Sequence, residues 1–179
     1  MKQKIEVKEE QKENPMRKIK LEKVVLSCGA TGPNLEKSRK LLEILSGKKP
    51  QIVKAGSKRR IPAFGVKPNL ELGTMVTLRK KDAEAILKRL LGAIDNTLDE
   101  RQISENGFSF GIHEYIEIPG AEYNREIGIR GLNVTSVFIR PGARIKRKKT
   151  KSGRLPGKQI VKPEEIINYM KENFSTEIE

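Results

Sequence analysis

The sequence predicts an α+β fold: an antiparallel or mixed sheet with helices packed on one face, the other face left open, and long basic loops. Three observations carry this expectation. Apolar and polar residues alternate in the stretches 22–28, 74–79, 108–118 and 132–140, the pattern of strands with one buried face. Apolar residues recur at helical spacing in 35–46, 83–98 and 163–174, the pattern of helices that bury one stripe. The two kinds of segment do not alternate strictly as strand, helix, strand. That argues against a doubly wound parallel sheet and leaves one sheet face for a partner or for water.

The elements follow in order. Residues 1–13 hold four lysines and four glutamates and little that is apolar, so they read as a mobile N-terminal tail. Residues 14–179 read as a single domain. In the first strand Val24, Leu26 and Cys28 share one face, and Lys23, Val25 and Ser27 the other. The turn 29–34 leads to Asn34, a side chain suited to cap a helix from about Leu35 to Ser46, which Gly47 ends. A short strand at 51–55 enters a loop. The strand 74–79 then sets Thr74, Val76 and Leu78 on one face and Met75, Thr77 and Arg79 on the other. Asp82 is placed to cap a helix whose apolar stripe runs Ala83, Ile86, Leu87, Leu90, Leu91, Ile94 and Leu98. Strands at 108–118 and 132–140 come next, with His113, Tyr115 and Glu117 expected on one face of the first. Pro163 suits the first turn of a last helix, with Glu164 and Glu165 at its positive end and Ile166, Ile167, Met170 and Phe174 on its buried face.

The charge balance names the class of partner. Lysine and arginine number 37 against 23 acidic residues, a formal net charge of +14. A field of that sign attracts polyanions, nucleic acid above all. Aromatics make up 4% of the chain and tryptophan is missing, which disfavours a large aromatic-lined small-molecule pocket. A single cysteine, Cys28, allows no internal disulfide and fits a reducing compartment. No apolar run is long enough to span a bilayer, and the first residues lack the apolar core of a secretion signal. The expectation is a cytoplasmic protein without a membrane partner.

Two segments concentrate the charge. Residues 54–67 contain five basic residues, no acidic one, and a single aromatic, Phe64. Residues 141–162 contain nine basic residues and again no acidic one. Neither shows apolar periodicity, so neither is built to feed a core. The stretch "RPGARIKRKKTKSGRLPGK" at 140–158 also reads as a nuclear import signal, but phosphate contact explains both segments with one mechanism, in which each cation near a phosphate releases a condensed counterion. The candidate phosphate contacts are Lys54, Lys58, Arg59 and Arg60 in the first, and Arg144, Lys146, Arg147, Lys148, Lys149, Lys151, Arg154 and Lys158 in the second. A subtler candidate is the sheet. If the strands 22–28 and 74–79 are neighbours, Lys23, Ser27, Thr77 and Arg79 share its polar face. Small hydroxyls among basic side chains suit the shallow minor groove and 2′-hydroxyls of folded RNA. Without paired aromatics to stack single-stranded bases, the face suits readout of RNA shape.

Enzymatic readings fare less well. His113 is the lone histidine, beside Glu114, and reads as a solvated strand residue more naturally than as a general base. No His or Cys grouping has the spacing of a zinc site. The stretch "GATGPNLEKS" carries Glu36 where a phosphate loop needs glycine before Lys37. No catalytic residue, metal or cofactor is implied. An RNA-modifying enzyme and a free RNA chaperone or translational regulator stand as the alternatives to a structural RNA-binding protein.

The stretches "KVVLSCGATG", "SGKKPQIVKA", "GTMVTLRKKDAEAILKRLL", "FSFGIHEYIEIPG" and "IGIRGLNVTSVFIRPG" occur in this order. Together they resemble the large-subunit ribosomal protein L-five family, in its archaeal–eukaryotic branch, over about residues 14–174. The resemblance implies a non-enzymatic protein that binds 5S rRNA and helps anchor it, beside large-subunit rRNA and other proteins of the 5S particle, in the central protuberance. It implies contact with a small-subunit head protein in an intersubunit bridge, and a loop that reaches P-site tRNA. Bacterial members carry Asn before a Met-Gly pair where this chain has Ser27 before Cys28-Gly29, which leaves a hydroxyl in place of an amide. The family's Gly-Gln-Lys/Arg-Pro turn is here Gly47-Lys48-Lys49-Pro50, so Lys48 and Lys49 are implied rRNA contacts. The Val-Thr-Leu-Arg motif matches directly and carries over Thr77 and Arg79. Residues 54–67 match the loop that points at tRNA, with Phe64 and Val66 expected to anchor its return.

Overall fold

The computed structural model describes residues 14–179; the tail read at 1–13 lies outside the described residues. In chain order the elements are β1 (Lys20–Gly29), α1 (Pro33–Ser46), β2 (Gln51–Lys54), β3 (Glu71–Arg79), α2 (Lys81–Leu91), β4 (Thr97–Leu98), β5 (Ile103–Ser104), β6 (Gly107–Ile112), β7 (Leu132–Ile139), α3 (Pro163–Phe174) and β8 (Glu177–Ile178). Six strands form one sheet in the order β2-β3-β1-β7-β6-β5, and every neighbouring pair is antiparallel. The two-residue strands β4 and β8 pair in parallel away from this sheet.

The core follows from the alternation. Val24, Leu26 and Cys28 of β1, Val76 and Leu78 of β3, Phe108 and Phe110 of β6, and Val134 and Phe138 of β7 all point to one side and are buried. Against them lie Leu41, Leu42 and Leu45 of α1, Leu87, Leu90 and Leu91 of α2, and Ile166 and Met170 of α3. Phe138 joins the layers: its ring stacks at 5.8 Å on Phe108 and meets Tyr169 of α3 edge-on at 5.3 Å. The helices thus cover one face and leave the other free, as the fold class predicted.

Local details depart from expectation where the backbone turns. Helix α1 starts after Gly32, which takes a left-handed φ of +61° with no side-chain cap, so Asn34 lies inside the first turn. Helix α2 likewise starts after Lys80, at φ +58°, and Asp82 belongs to its first turn. The apolar run expected to reach Leu98 breaks at Asp95 and Asn96, both at positive φ, and Leu98 is buried through β4 instead. Asp and Asn are the non-glycine types that tolerate this region best.

The strand expected at 108–118 stops at Ile112. The incoming β7 chain is the reason: a Cβ at Gly131 would lie 2.7 Å from the carbonyl oxygens of Ile112 and His113, and the Tyr115 amide donates to the Arg130 carbonyl. Tyr115 is buried and its hydroxyl accepts from the Asn124 amide at 2.8 Å. His113 is exposed, so the expected shared face of His113, Tyr115 and Glu117 does not form.

Glycine supports the sheet where the backbones approach most closely, at Gly107 as well as at Gly73 and Gly131. A Cβ at Gly107 would sit 2.4 Å from the Ser136 carbonyl oxygen, whereas one at Gly29 would meet nothing within 4 Å. Gly107→Ala is expected to cost about 1–3 kcal/mol through forced backbone displacement, read as a lower urea midpoint, and Gly29→Ala to leave the midpoint nearly unchanged.

Candidate nucleic-acid interface

The strand register builds the open sheet face. Lys23 pairs with Arg79, Val25 with Thr77 and Ser27 with Met75 across β1 and β3. Residues opposite one another in a ladder point the same way, so the structure brings Lys23, Ser27, Thr77 and Arg79 onto one face. Thr77 and Arg79 are exposed there, and Lys23 and Ser27 half-buried. Strand β7 extends the face on the other side of β1, where Ser27 pairs with Asn133 and Val25 with Thr135. Ser109 of β6 lies opposite Thr135, and Gly111 opposite Asn133. The result is a surface of small hydroxyls, one amide and glycines set among Val25, Met75 and Val137, with Lys23 and Arg79 at one end.

The turn lysines behave differently. Lys48 reaches across to α2, its Nζ 2.5 Å from Asp82 Oδ2. The hydrogen bond and charge of Lys48 hold the Asp82 carboxyl below its ordinary range. Lys48 is therefore part of a surface ion pair on the helix side, whereas Lys49 is exposed with no ion pair among the described residues.

The 54–67 loop leaves the sheet between β2 and β3. At its base Lys54 pairs with Glu71 at 3.1 Å. Beyond that, Lys58, Arg59 and Arg60 are exposed and carry no ion pair among the described residues. The tip is closed on itself: Ile61 and Val66 exchange backbone hydrogen bonds of 3.0 Å around a 3₁₀ turn at Pro62–Phe64, and Gly65 takes φ +63°. Phe64 does not anchor this turn. It is 81% exposed, because the tip projects from the sheet edge with no core beneath it.

The 141–162 segment is folded back on the domain. Arg140, whose side chain is nearly buried, donates to the Lys158 carbonyl at 2.6 Å and to Glu165 at 2.5 Å, which closes the base. Arg144, Lys146 and Arg147 lie on a 3₁₀ turn at Ala143–Arg147. Arg147 donates to Glu22 of β1, and the same carboxylate oxygen accepts from Arg79 at 3.2 Å. Burial pushes the Glu22 carboxyl up, but hydrogen bonds and charge from Arg147 and Arg79 outweigh it and hold the group below the ordinary value of 4.5. Lys146, Lys148, Lys149, Lys151, Arg154 and Lys158, with Arg144, are exposed and form no ion pair among the described residues. Cys28 faces the core, where its Sγ donates to the Gly131 carbonyl. Burial pushes its thiol up to about 11 against the pull of Arg130, so it stays protonated and inert.

The family described as ribosomal protein L5 matches residues 14–67, and the model of that ribosomal family's C-terminus matches residues 71–157. Large ribosomal subunit protein uL5 of Nanoarchaeum equitans is 40% identical over 169 residues, covering 93% of this chain and 99% of that protein. The protein of the same name from Sulfurisphaera tokodaii is 40% identical over 174 residues, covering 95% and 97%. This chain belongs to the ribosomal protein L5 family. The two matched stretches are interleaved in space: β1 and β2 come from the first, β3, β6 and β7 from the second, and all lie in one sheet.

Within this L5 family member, sequence reasoning missed Asn133, Thr135 and Ser109 as members of the open face. The alternation in 132–140 already separated Asn133 and Thr135 from the apolar set, but nothing local says that β7 lies beside β1. It also missed Glu22, whose role depends on two arginines 57 and 125 residues away in the chain.

The Glu22 pairings make stability depend on pH in a defined direction. The carboxyl's pKa falls on folding, so its contribution is complete above the unfolded value of 4.5 and is lost as pH drops through the lowered folded value. Both arginines are about half exposed, so solvent screening limits the pairing to about 1 kcal/mol. The expected outcome is a gap in urea midpoint between wild type and Glu22→Gln that is constant from neutral pH to about 5 and closes in more acid solution.

Proposed function

We propose that this protein is a structural constituent of the large ribosomal subunit that binds 5S rRNA through the helix-free sheet face. On this reading it helps attach 5S rRNA, with large-subunit rRNA and neighbouring proteins of the 5S particle, in the central protuberance. It also contributes to a bridge with a small-subunit head protein and touches P-site tRNA through the 54–67 loop. It acts in the cytoplasm, as a part of the ribosome, and performs no chemistry. Affinity comes from charge neutralisation by the basic segments, and selectivity from the fit of the sheet to RNA shape.

The observation that carries the reading is the open face itself. A sheet face with no covering helix is ordinarily solvated by long charged side chains. In this one serine, threonine, asparagine and glycine stand among the half-buried Val25, Met75 and Val137 from β6 to β3, and the adjoining basic segments carry exposed cations without partners among the described residues. That combination lets a backbone of phosphates and ribose lie close to the strands. The names of the relatives support assignment to the large subunit. The loop is a separate tool: its free cations and its exposed phenylalanine stand at the sheet edge, so it meets a second RNA without displacing the first.

A salt-dependent titration against 5S rRNA, with tRNA and an unrelated duplex as competitors, tests this. Selective 5S binding that survives moderate salt and deletion of residues 56–61 is expected. Thr77→Arg, which intrudes on the sheet face, is expected to weaken 5S binding about tenfold or more, and Lys58→Ala about threefold or less. Equal losses would refute the assignment of 5S rRNA to the sheet. Binding that collapses with salt equally for all RNAs would leave only non-selective charge, as in a free RNA chaperone.

A further inference from the structure

The register between β1 and β7 shifts between Leu21 and Lys23, and Glu22 is the residue left over. Such bulges re-aim a side chain. Here the bulge turns a carboxylate toward the end of the sheet that carries Lys23 and Arg79, where its neighbours are cations but its charge would repel a phosphate. Its side chain is 9% exposed, while those of Arg79 and Arg147 are 51% and 52% exposed. A single oxygen, Oε1, accepts from both guanidinium groups.

The consequence lies in the 141–162 segment. Among the described residues, its other hydrogen bonds to the rest of the domain gather at its ends. Arg140 fastens the base, and Asn106 exchanges bonds with Val161, its Oδ1 accepting from the Val161 amide and its own amide donating to the Val161 carbonyl. Arg147 provides the tie in the middle. Around it stand Arg144, Lys146, Lys148, Lys149, Lys151 and Arg154, exposed and without ion pairs among the described residues. Six cations beside Lys23 and Arg79 repel that end of the sheet. Without a counter-charge the segment swings outward, and RNA must bear the cost of ordering it on binding.

We propose that Glu22 is a positioning residue for RNA: it holds the 141–162 segment through Arg147 against the β1–β3 end of the sheet, so that segment and sheet meet one RNA as a continuous surface. The inference rests on the reading of the sheet as the RNA-binding face. It inverts the usual expectation for a carboxylate near phosphate. Deleting the charge adds a net positive charge to the protein and frees two arginines, yet binding weakens, because the cations of the segment no longer arrive pre-ordered. Arg79 is shared between the sheet face and the tie, which couples the two parts.

The test uses the full chain and transcribed 5S rRNA, with wild type, Glu22→Gln, Arg147→Ala and the double variant titrated across a salt series. Each single change is expected to weaken binding about fivefold to tenfold. The slope of log affinity against log salt should fall by about two or more, beyond the roughly one contact that a lost arginine removes. The double variant should be no worse than the weaker single, since both act through one tie. Trypsin should cut within 141–162 faster in both singles than in wild type. Arg147 is a surface residue, so its variant keeps the test valid should Glu22→Gln fold poorly. Binding by Glu22→Gln that equals or exceeds wild type, with an unchanged salt slope, would overturn the proposal and make Glu22 a competitor of phosphate. A wild type without selectivity for 5S rRNA removes the reading of the sheet face, and the proposal falls with it.

Discussion

Strand β1 is the constraint on which the rest of the molecule depends. It is flanked by β3 on one side and β7 on the other, and its ten residues divide the protein into a dry half and a wet half. Val24 and Leu26 are fully buried against the helices; Lys23, Val25 and Ser27 point the other way. The two-residue period makes this division all or none. A slip of one residue would send Lys23 and Ser27 into the core and expose Val24 and Leu26. The hydrophobic burial that stabilises the fold therefore also fixes which side chains of β3 and β7 stand beside Ser27. The chemistry of the open face is in this sense a by-product of core packing, and it needs no separate device to align it.

That dependence explains what could be read without a structure. Faces of single strands are legible because alternation is local: the grouping of Lys23 and Ser27, and of Thr77 and Arg79, needed only the sequence within each strand. Strand order is not local, so Asn133, Thr135 and Ser109 were recognisable as polar positions but not as neighbours of Ser27. Helix starts were misread for another reason. Asn34 and Asp82 have capping side chains, yet Gly32 and Lys80 take the left-handed backbone that begins each helix. Asn34 Oδ1 instead accepts from Arg130, and Asp82 binds Lys48. The resemblance implies Phe64 as an anchor of the loop's return, and this fails because no core lies beneath the loop tip, where Phe64 is exposed.

A tally of cations overstates the surface available to RNA. Lys48, Lys54, Arg79 and Arg147 each already hold a carboxylate. The pairs differ in kind. Lys48–Asp82 and Lys54–Glu71 join exposed groups in high dielectric, where water and salt separate them at little cost. Glu22 is different, because its carboxylate is nearly buried and would be left unpaired in a poorly solvated site if both arginines departed. Phosphate can therefore recruit Lys48 and Lys54 easily, while drawing both arginines away from Glu22 is opposed. The same formal positive charge on four residues amounts to two different availabilities.

This difference separates the two basic segments mechanically. The 54–67 loop is closed by its own backbone pairing between Ile61 and Val66, and its free cations lie beyond that closure. Its tip keeps its shape whether or not the sheet is occupied, and it stands off the edge strand β2. The 141–162 segment has few such internal bonds, Gly153 donating to the Ile145 carbonyl among them, and takes its position from Arg140 at the base and Glu22 in the middle. Its shape is thus borrowed from the sheet. On the proposed reading, an RNA on the open face would meet the second segment as an extension of that face and the first only as a neighbour. The long-range ion pair of Glu22, more than the density of lysines, sets which of the two cationic stretches is tied to the open sheet face.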